Sequence, residues 1–328
     1  MTGAPVRVAG LSWPPGTVRR VRSSVRLGTG PGFTLSQVTC VDDHRGWSPA
    51  ETGTAYRLVL VRRGRFRRLV RGRPAVVDAT AAYLGLPGEE EHFAHPAGGD
   101  VCTALSLSPS LWRTLAGDGT QPSRSTVYVD ARLDLAHRRV LAAARAGDPA
   151  YELTESLLPL LATVLGRLTD SPTPATSHTG VPASGREGGV AGVPSRGRGG
   201  RDGGRPPGAP SRRAARPPYG VSPAGLVDAA REAIADDHPA AAALLSLAEL
   251  LQVSPYRLSR AFTRELGVSL THYRNRVRVG RALDRLEHGE PNLAVLAADL
   301  GFADQAHLTR TVRRHVGHTP AALRRLLT

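Results

Sequence analysis

A seven-residue pattern in the last third of the chain occurs twice, with the two copies fifty residues apart. The first copy is LSRAFTR at residues 258–264, and the second is LTRTVRR at residues 308–314. A glycine closes each copy, Gly267 after the first and Gly317 after the second. Such a repeat restricts this region to a fold that contains the same small structural unit twice.

Each copy has the pattern of two short helices joined by a tight turn. In the first copy, residues 247–251 form a short helix and residues 254–266 form a capped second helix, with Gln252 in the turn between them. The second copy has Gly301 at the matching place, and its turn is one residue longer. Two helices in this arrangement form a helix-turn-helix, whose second helix can enter the major groove of DNA.

One long helix is predicted between the two units. Residues 269–288 form a helix of about 30 Å, since each residue adds about 1.5 Å. One turn of B-DNA is about 34 Å long, so this helix would hold two recognition helices over successive segments of the major groove. The positions expected to be buried are Leu270, Tyr273, Val277, Val279, Ala282, Leu283 and Leu286. A further helix, residues 222–235, begins at the cap Ser222.

Three stretches of this region match one known family in order and spacing. They are SPYRLSRAFTRELGVSLTHY, RVRVGRALDRL and GFADQAHLTRTVRRHVGHTP. On these residues, the segment 220–327, about a third of the chain, resembles the AraC/XylS family of bacterial transcription regulators. The resemblance implies that residues 256–264 and 305–314 are two recognition helices that reach adjacent major grooves.

The resemblance has departures and further implications. Gln252 stands where the family's turn usually has glycine, and Leu308 and Val312 stand where phenylalanines are common. If the turn requires a left-handed residue, Gln252 costs up to about 1 kcal/mol. The family resemblance implies double-stranded promoter DNA and RNA polymerase as partners, a small-molecule effector as ligand, and a homodimer as an assembly.

Helical position separates core residues from DNA contacts in the two recognition helices. The positions expected to face the core are Leu258, Phe262, Leu308 and Val312. The predicted DNA-binding residues are Tyr256, Arg257, Ser259, Arg260, Arg264, Gln305, His307, Thr309, Arg310, Arg313 and Arg314. Arginine pairs with guanine and glutamine with adenine, so Arg260, Arg310 and Gln305 are the leading base contacts. Phosphate contact or solvation is an equally good interpretation of any single exposed arginine.

A composition change separates the two halves of the chain. Residues 171–218 contain 11 Gly, 9 Pro and 5 Ser among 48 positions, with 8 Arg against 2 acidic residues. Such a segment cannot bury enough surface to offset its ordering entropy, which predicts a disordered linker. The whole chain carries 43 basic and 28 acidic residues, a net charge of +15, which favours a polyanionic partner. The linker is interpreted as a solvated tether, or alternatively as a loose contact to a phosphate backbone.

The first 120 residues have the pattern of β-structure. Residues 56–62 and 65–70 are short apolar runs around Gly64, which predicts a hairpin. Residues 101–107 alternate in the manner of a half-buried strand.

Two amphipathic helices are predicted after these strands, at residues 133–146 and 153–168. The second has apolar residues at three- and four-residue steps, namely Leu157, Leu160, Leu161, Val164 and Leu168. This stripe is typical both of a dimerisation helix and of a helix packed on its own barrel, and the sequence leaves both interpretations open.

A turn at residues 86–89, followed by His92 and His95, resembles the second motif of a cupin barrel. The first cupin motif is incomplete, with only Asp43, His44 and Glu51 near its place, so metal-dependent oxidation is not expected. Zinc binds Cys and His sets, and a barrel would bring together Cys40, His44, His92, His95 and Cys102. Their spacing matches no standard zinc motif, so no metal site is predicted.

Together these patterns predict an α+β multidomain fold. Residues 1–126 form a cupin-like β-barrel sensing domain. Residues 127–170 form a helical segment, for which dimerisation is one interpretation. Residues 171–218 form the disordered linker, and residues 219–328 form an all-α DNA-binding domain with two helix-turn-helix units. The chain shows no nucleophile elbow, phosphate-binding loop or HExxH pattern, so no enzymatic activity, catalytic residue or cofactor is predicted.

The predicted function is sequence-specific, DNA-binding transcription regulation in response to an effector or an oligomeric change in the N-terminal domain. The first alternative is a cupin-type metal-binding enzyme or sensor recruited to DNA. The second is a non-specific nucleic-acid coating protein that acts through the linker. The sequence shows no signal peptide or long apolar segment and has two cysteines, which predicts a cytoplasmic protein that does not contact a membrane.

Overall fold

Antiparallel strands make up most of the N-terminal part of the chain. The computed structural model describes residues 22–41, 43–146, 151–169 and 222–327. Within these ranges the strands are β1 (Arg22–Gly30), β2 (Phe33–Cys40), β3 (Tyr56–Arg63), β4 (Arg65–Val70), β5 (Arg73–Asp78), β6 (Ala81–Gly85), β7 (Glu91–Ala94), β8 (Asp100–Leu107) and β9 (Thr126–Tyr128). One sheet has the order β1-β2-β8-β3-β6-β9, and a smaller sheet has the order β5-β4-β7. The predicted linker, residues 171–218, lies outside the described residues.

Three helices accompany the sheets, α1 (Pro109–Ala116), α2 (Ala131–Ala146) and α3 (Glu152–Thr169). One face of the larger sheet packs against these helices, and Leu58 and Leu105 lie in that core. The other face packs against the smaller sheet, where Cys102 and Ala104 lie beside Phe66. Successive side chains of a strand point to opposite faces, so β8 is buried on both sides. The prediction of a half-buried strand at residues 101–107 is therefore wrong.

The hairpin predicted around Gly64 is also absent from the described sheets. Strand β3 pairs with β6 and β8 in the larger sheet, while β4 pairs with β5 and β7 in the smaller one. Gly64 therefore carries the chain from one sheet into the other. It has a φ of 76°, and a Cβ at this position would lie 2.3 Å from the carbonyl oxygen of Gly99. Only glycine fits a positive φ and an approach this close.

Helices α2 and α3 confirm the two helical predictions for this region. The apolar stripe of α3 is buried in the core of the larger sheet, and its members are Leu157, Leu160, Leu161, Val164 and Leu168. A stripe that is already covered within the chain is a core face. The burial therefore favours packing on the chain's own sheet over a dimerisation surface.

The C-terminal part of the described chain is helical. Its helices are α4 (Pro223–Ala235), α5 (Leu244–Leu250), α6 (Pro255–Leu266), α7 (Leu270–Glu287), α8 (Leu293–Asp299), α9 (Gln305–Val316) and α10 (Pro320–Leu327), with a short 3-10 helix at Pro239–Ala242. The predicted caps are confirmed, because the hydroxyls of Ser222, Ser254 and Ser269 each accept a hydrogen bond from the backbone N–H three residues later. These features confirm the predicted two-part α+β fold.

Helix α2 connects the two parts of the chain. Leu133 and Val140, on one face, pack into the core beneath the larger sheet. Ala131 and Leu135, on another face, lie in a core formed mainly by α7, α8, α9 and α10. The described residues before and after the segment 172–218 form one compact unit. No helix in the described ranges combines the length and the apolar character that a membrane crossing needs.

Candidate DNA-binding surface

Two helix pairs of equal size form the repeated unit that the sequence predicts. Helices α5 and α8 have 7 residues each, and helices α6 and α9 have 12 residues each. Each second helix ends at a left-handed glycine, Gly267 with a φ of 72° and Gly317 with a φ of 90°. The structure therefore confirms two helix-turn-helix units of one design.

Helix α7 joins the cores of the two units. Its first turns place Leu270 and Tyr273 in the core of the α5–α6 pair. Its later turns place Val279 and Leu283 in the core of the α8–α9 pair. The predicted buried positions are confirmed except for Val277, which is half-buried. One helix with both ends anchored in this way fixes the spacing of the two units.

On α6, the predicted division between core and surface is confirmed. Leu258 and Phe262 are fully buried, while Tyr256 is 68% exposed. Arg260 Nη1 donates a hydrogen bond to the Tyr256 hydroxyl at 2.8 Å, and its guanidinium lies 5.4 Å from the centre of the tyrosine ring. This contact holds the guanidinium on the outer face of the helix. The other predicted contacts of α6 are exposed or half-buried, and they are Arg257, Ser259 and Arg264.

On α9 the same division holds. The inward positions Leu308 and Val312 are fully buried. The outward positions Gln305, Arg310, Arg313 and Arg314 are exposed, and Thr309 is half-buried. The predicted base and phosphate contacts of this helix therefore share a surface that solvent reaches.

His307 differs from the other predicted contacts of α9, because its ring interacts with its own turn. The ring meets Phe302 edge to face at 5.4 Å, and Nδ1 accepts a hydrogen bond from the N–H of Ala303 at 3.4 Å. Its backbone N–H donates to the capping carboxylate of Asp304 at 2.6 Å. These contacts give His307 a role in shaping the start of α9.

The two turns adopt the same left-handed conformation. Gln252 has a φ of 54°, and Gly301 has a φ of 70°. The turn of the first unit therefore requires the conformation that glycine adopts without strain, as the sequence analysis anticipated. Gln252 lies on the surface, so its side chain gains no buried contact in exchange.

A polar groove between the start of α7 and α9 was not predicted. It is lined by Ser269, Thr271, His272, Asn275, His307, Arg310, Thr311, Arg314 and His315. The rings of His272 and His315 lie 4.5 Å apart at its base. Burial, with the nearby charges of His272 and Arg276, lowers the pKa of His315 to about 4, so this ring is neutral at neutral pH.

Two buried arginines that no sequence pattern indicated bind the helical part to the sheets. Arg276 of α7 is 1% exposed, pairs with Asp134 of α2 at 3.1 Å and donates to the carbonyl of Val129 at 2.9 Å. Burial raises the pKa of Asp134, but Arg138 and Arg276 outweigh it and lower this pKa to about 2. The carboxylate therefore stays ionised and holds both helices.

The second buried arginine, Arg231 of α4, pairs with Asp78 at 2.9 Å and donates to the carbonyl of Val76 at 3.1 Å. Arginines of the sheet region meet acids of the helices in return. Arg62 lies 2.9 Å from Glu287, and Arg67 lies 3.0 Å from Glu232. Paired partners stand more than 140 residues apart, which explains why local patterns gave no sign of them.

The cysteines and histidines considered as zinc ligands are only partly brought together. His92 Nδ1 lies 2.7 Å from the carbonyl oxygen of Ser48, and strand alternation directs His92 away from the face that carries Phe93 and His95. The cupin-like set is therefore not assembled at His92. Cys40, His95 and Cys102 line a cavity between the two sheets, together with apolar side chains.

Comparison with known proteins identifies the helical region. A family model described as a helix-turn-helix domain matches residues 247–326. The chain is 32% identical over 111 residues to the HTH-type transcriptional regulator RipA of Corynebacterium diphtheriae, covering 33% of this chain and 32% of that protein. It is 30% identical over 81 residues to the arabinose operon regulatory protein of Escherichia coli, covering 25% and 28%. The aligned segments thus span less than a third of these relatives.

Two solved structures are also similar. The C-terminal domain of AraT, a response regulator from Geobacillus stearothermophilus, is 31% identical, and the match covers 30% of this chain and 84% of that one with a TM-score of 0.29. ToxT from Vibrio cholerae is 8% identical, and the match covers 90% and 98% with a TM-score of 0.31. The family match falls on the two helix pairs, and residues 247–326 of this chain are a helix-turn-helix domain of the AraC type.

Proposed function

We propose that this protein is a sequence-specific regulator of transcription that binds double-stranded promoter DNA. The observation that carries the proposal is the duplicated helix-turn-helix with one outward row of polar side chains on each second helix. The helix-turn-helix family model matches these same helices, and the relatives include a protein named as a transcriptional regulator and one named as an operon regulatory protein. The predicted cytoplasmic location follows from this function.

Side-chain chemistry divides the proposed DNA contacts into two groups. Arg260, Gln305 and Arg310 offer the donor patterns that match guanine and adenine edges in the major groove. Arg264, Arg313 and Arg314 lie nearer the ends of their helices and fit phosphate oxygens. The groove beside Arg310 adds further donors at the start of α7, where backbone N–H groups favour an anion.

The N-terminal part supplies the regulatory signal in this proposal. The cavity between its sheets combines apolar walls, including Val59, Phe66 and Phe93, with the charged side chain of Arg57. Arg57 is already paired with Glu91, and Glu51 and Asp100 also line the cavity, so this composition suits a small, mainly apolar organic molecule. Ion pairs between sheets and helices, such as Arg67 with Glu232, give a route by which occupancy of the cavity alters the helical part. RNA polymerase and a second copy of the chain complete the proposed partners.

Selection of bound duplexes from a randomised library, at near-physiological salt, tests the proposal. The full chain is used, because Ala131 and Leu135 complete the core of the second helix pair and a fragment from residue 219 would lack them. An enriched site with two elements about ten base pairs apart is expected. Binding without enrichment that falls steeply with salt would show electrostatic affinity alone and would contradict the proposal.

Arginine variants then test the assignment of the two recognition helices. Arg260→Ala and Arg310→Ala are each expected to weaken binding by about 1–3 kcal/mol and to relax specificity at one base position. Arg325→Ala is the matched control, because it removes one exposed arginine from α10. If all three variants bind the selected site equally well, the groove assignment is wrong.

A further inference from the structure

Three donor side chains of different chemistry meet at one end of the cavity between the sheets. Cys40 ends β2 and Asp100 begins β8, and the two residues lie opposite each other in the antiparallel register. His95 follows directly after β7. A Cβ at Gly99 would lie 2.2 Å from the carbonyl oxygen of Cys40, so glycine is what allows the two chain segments to approach. The backbone thus brings a thiol, an imidazole and a carboxylate to one place.

The donor atoms are close enough to share one ion. One atom each from Cys40, His95 and Asp100 lies within 4.8 Å of the other two. The three residues are buried, each less than a tenth exposed. Exposed acidic clusters often have this spacing by chance, but a buried set brings three groups out of water, and such groups need partners.

One atom of the cluster lacks such a partner. His95 Nδ1 is buried and, among the described residues, has no hydrogen-bond partner. Asp100 Oδ1 lies 2.9 Å from His95 Nε2, an ion pair within the cluster itself. The other carboxylate oxygen, Oδ2, accepts a hydrogen bond from the thiol of Cys102 at 2.8 Å. Cys102 therefore orients the carboxylate and leaves Oδ1 directed at the other two donors.

The chemistry of this set selects a class of cation. Calcium and magnesium take oxygen ligands almost exclusively, whereas a thiolate with an imidazole suits zinc and related first-row metals. One thiolate and one carboxylate carry two negative charges, which balance a divalent cation in a buried place. Three protein ligands also leave the fourth position of a tetrahedral zinc ion open.

We propose that Cys40, His95 and Asp100 form a zinc site with its fourth position open to the cavity between the sheets. Cys102 acts in this site as a hydrogen-bond partner that orients Asp100. A small molecule in the cavity that carries a thiol or carboxylate would reach the open position. The site goes beyond the proposed binding of DNA and is independent of it.

Metal binding to the full chain tests the site directly. Purified protein is stripped with a chelator, and its zinc affinity is measured by competition with a chromophoric chelator. One zinc ion per chain is expected. Cobalt substituted for zinc is expected to show the near-ultraviolet charge-transfer absorption of a metal–thiolate bond. Less than half an equivalent of zinc, or cobalt spectra without the thiolate band, would overturn the proposal.

Variants identify the ligands. Cys40→Ser is expected to abolish the cobalt–thiolate band. Cys40→Ser and Asp100→Asn are both expected to weaken zinc binding by more than about 10–100-fold, which is the usual effect of removing a hydrogen-bond partner of a metal ligand. His92→Gln is the matched control, because it changes a nearby histidine outside the cluster and should leave the affinity unchanged. Circular dichroism of the zinc-free variants checks that they fold. If folded Cys40→Ser keeps the wild-type affinity, or if His92→Gln loses as much as His95→Gln, the assignment fails.

Discussion

Replacing Gln252 by glycine should stabilise the protein, although glycine usually has the opposite effect. Gln252 has a φ of 54° in the turn between α5 and α6, a left-handed conformation. A residue with a Cβ pays about 1–2 kcal/mol for it, whereas glycine adopts it freely. Glycine also gives the unfolded chain more backbone freedom, which lowers the free energy of unfolding by about 0.5–1 kcal/mol. Because the glutamine side chain is exposed and no packing is lost, the net gain for Gln252→Gly is about 0.5–1 kcal/mol.

Urea unfolding of the full chain, followed by circular dichroism, measures this difference at an unchanged m-value. The reciprocal variant, Gly301→Ala, is the matched control, because the second turn has a φ of 70° and an added Cβ would lie 3.4 Å from Arg278 Nη2. It should destabilise the protein by at least about 1 kcal/mol. A neutral Gly301→Ala, or a Gln252→Gly variant that is less stable than the wild type, would refute the left-handed assignment of these turns.

Two further predictions concern buried charge. Burial lowers the pKa of His137 to about 3, from about 6.5 in the unfolded chain. The contribution of the neutral ring to the free energy of unfolding is therefore fully present above about pH 6.5. It falls by up to about 1.4 kcal/mol per pH unit as the pH drops toward 3. His137→Gln should reduce this slope in urea unfolding at pH 7, 6 and 5, with a residual slope from His315, and an unchanged slope would contradict the assignment. Arg276→Met should cost about 3 kcal/mol because it leaves buried acceptors unpaired, whereas Arg325→Met, on the surface, should cost under about 0.5 kcal/mol. Equal effects of these two variants in the same assay would show that Arg276 is not buried in solution.

The helical half of the molecule could be predicted well because its signals are local. A cap such as Ser254 and a closing residue such as Gly267 act on backbone groups within one turn of themselves. The apolar positions four residues apart, such as Leu308 and Val312, likewise need no distant partner to be recognised. Helix bounds, core positions and the outward faces of α6 and α9 therefore followed from short windows of sequence.

Strand pairing could not be predicted in the same way, because it depends on residues far apart in the chain. Strand β1 is mostly exposed and has little alternation of apolar residues, so its pattern gave no signal. Gly64 resembles a hairpin residue until the approach of Gly99 is known. The register that sets Cys40 opposite Asp100 likewise exists only after the sheet forms, and for this reason Asp100 was absent from the residues considered as zinc ligands.

Buried arginines show the same limit for the surface of the helical half. Arg276 lies in a helix where polar residues normally face water, and its partner Asp134 comes 142 residues earlier. Nothing in the neighbouring sequence distinguishes it from the exposed arginines of the recognition helices. The base-contact assignments rest on helical position and side-chain chemistry, and they remain predictions.

The double packing of α2 bears on how this protein can be recombined with others. A composition change near residue 171 suggests a convenient point for exchanging the sensing half of one regulator for that of another. Ala131 and Leu135, however, fill space inside the core of the second helix pair from the N-terminal side of that point. A hybrid joined there would leave α8, α9 and α10 with a hollow where those side chains belong. Successful hybrids should keep α2 together with the helical half it completes, or supply a donor helix with small and apolar residues at the same two positions.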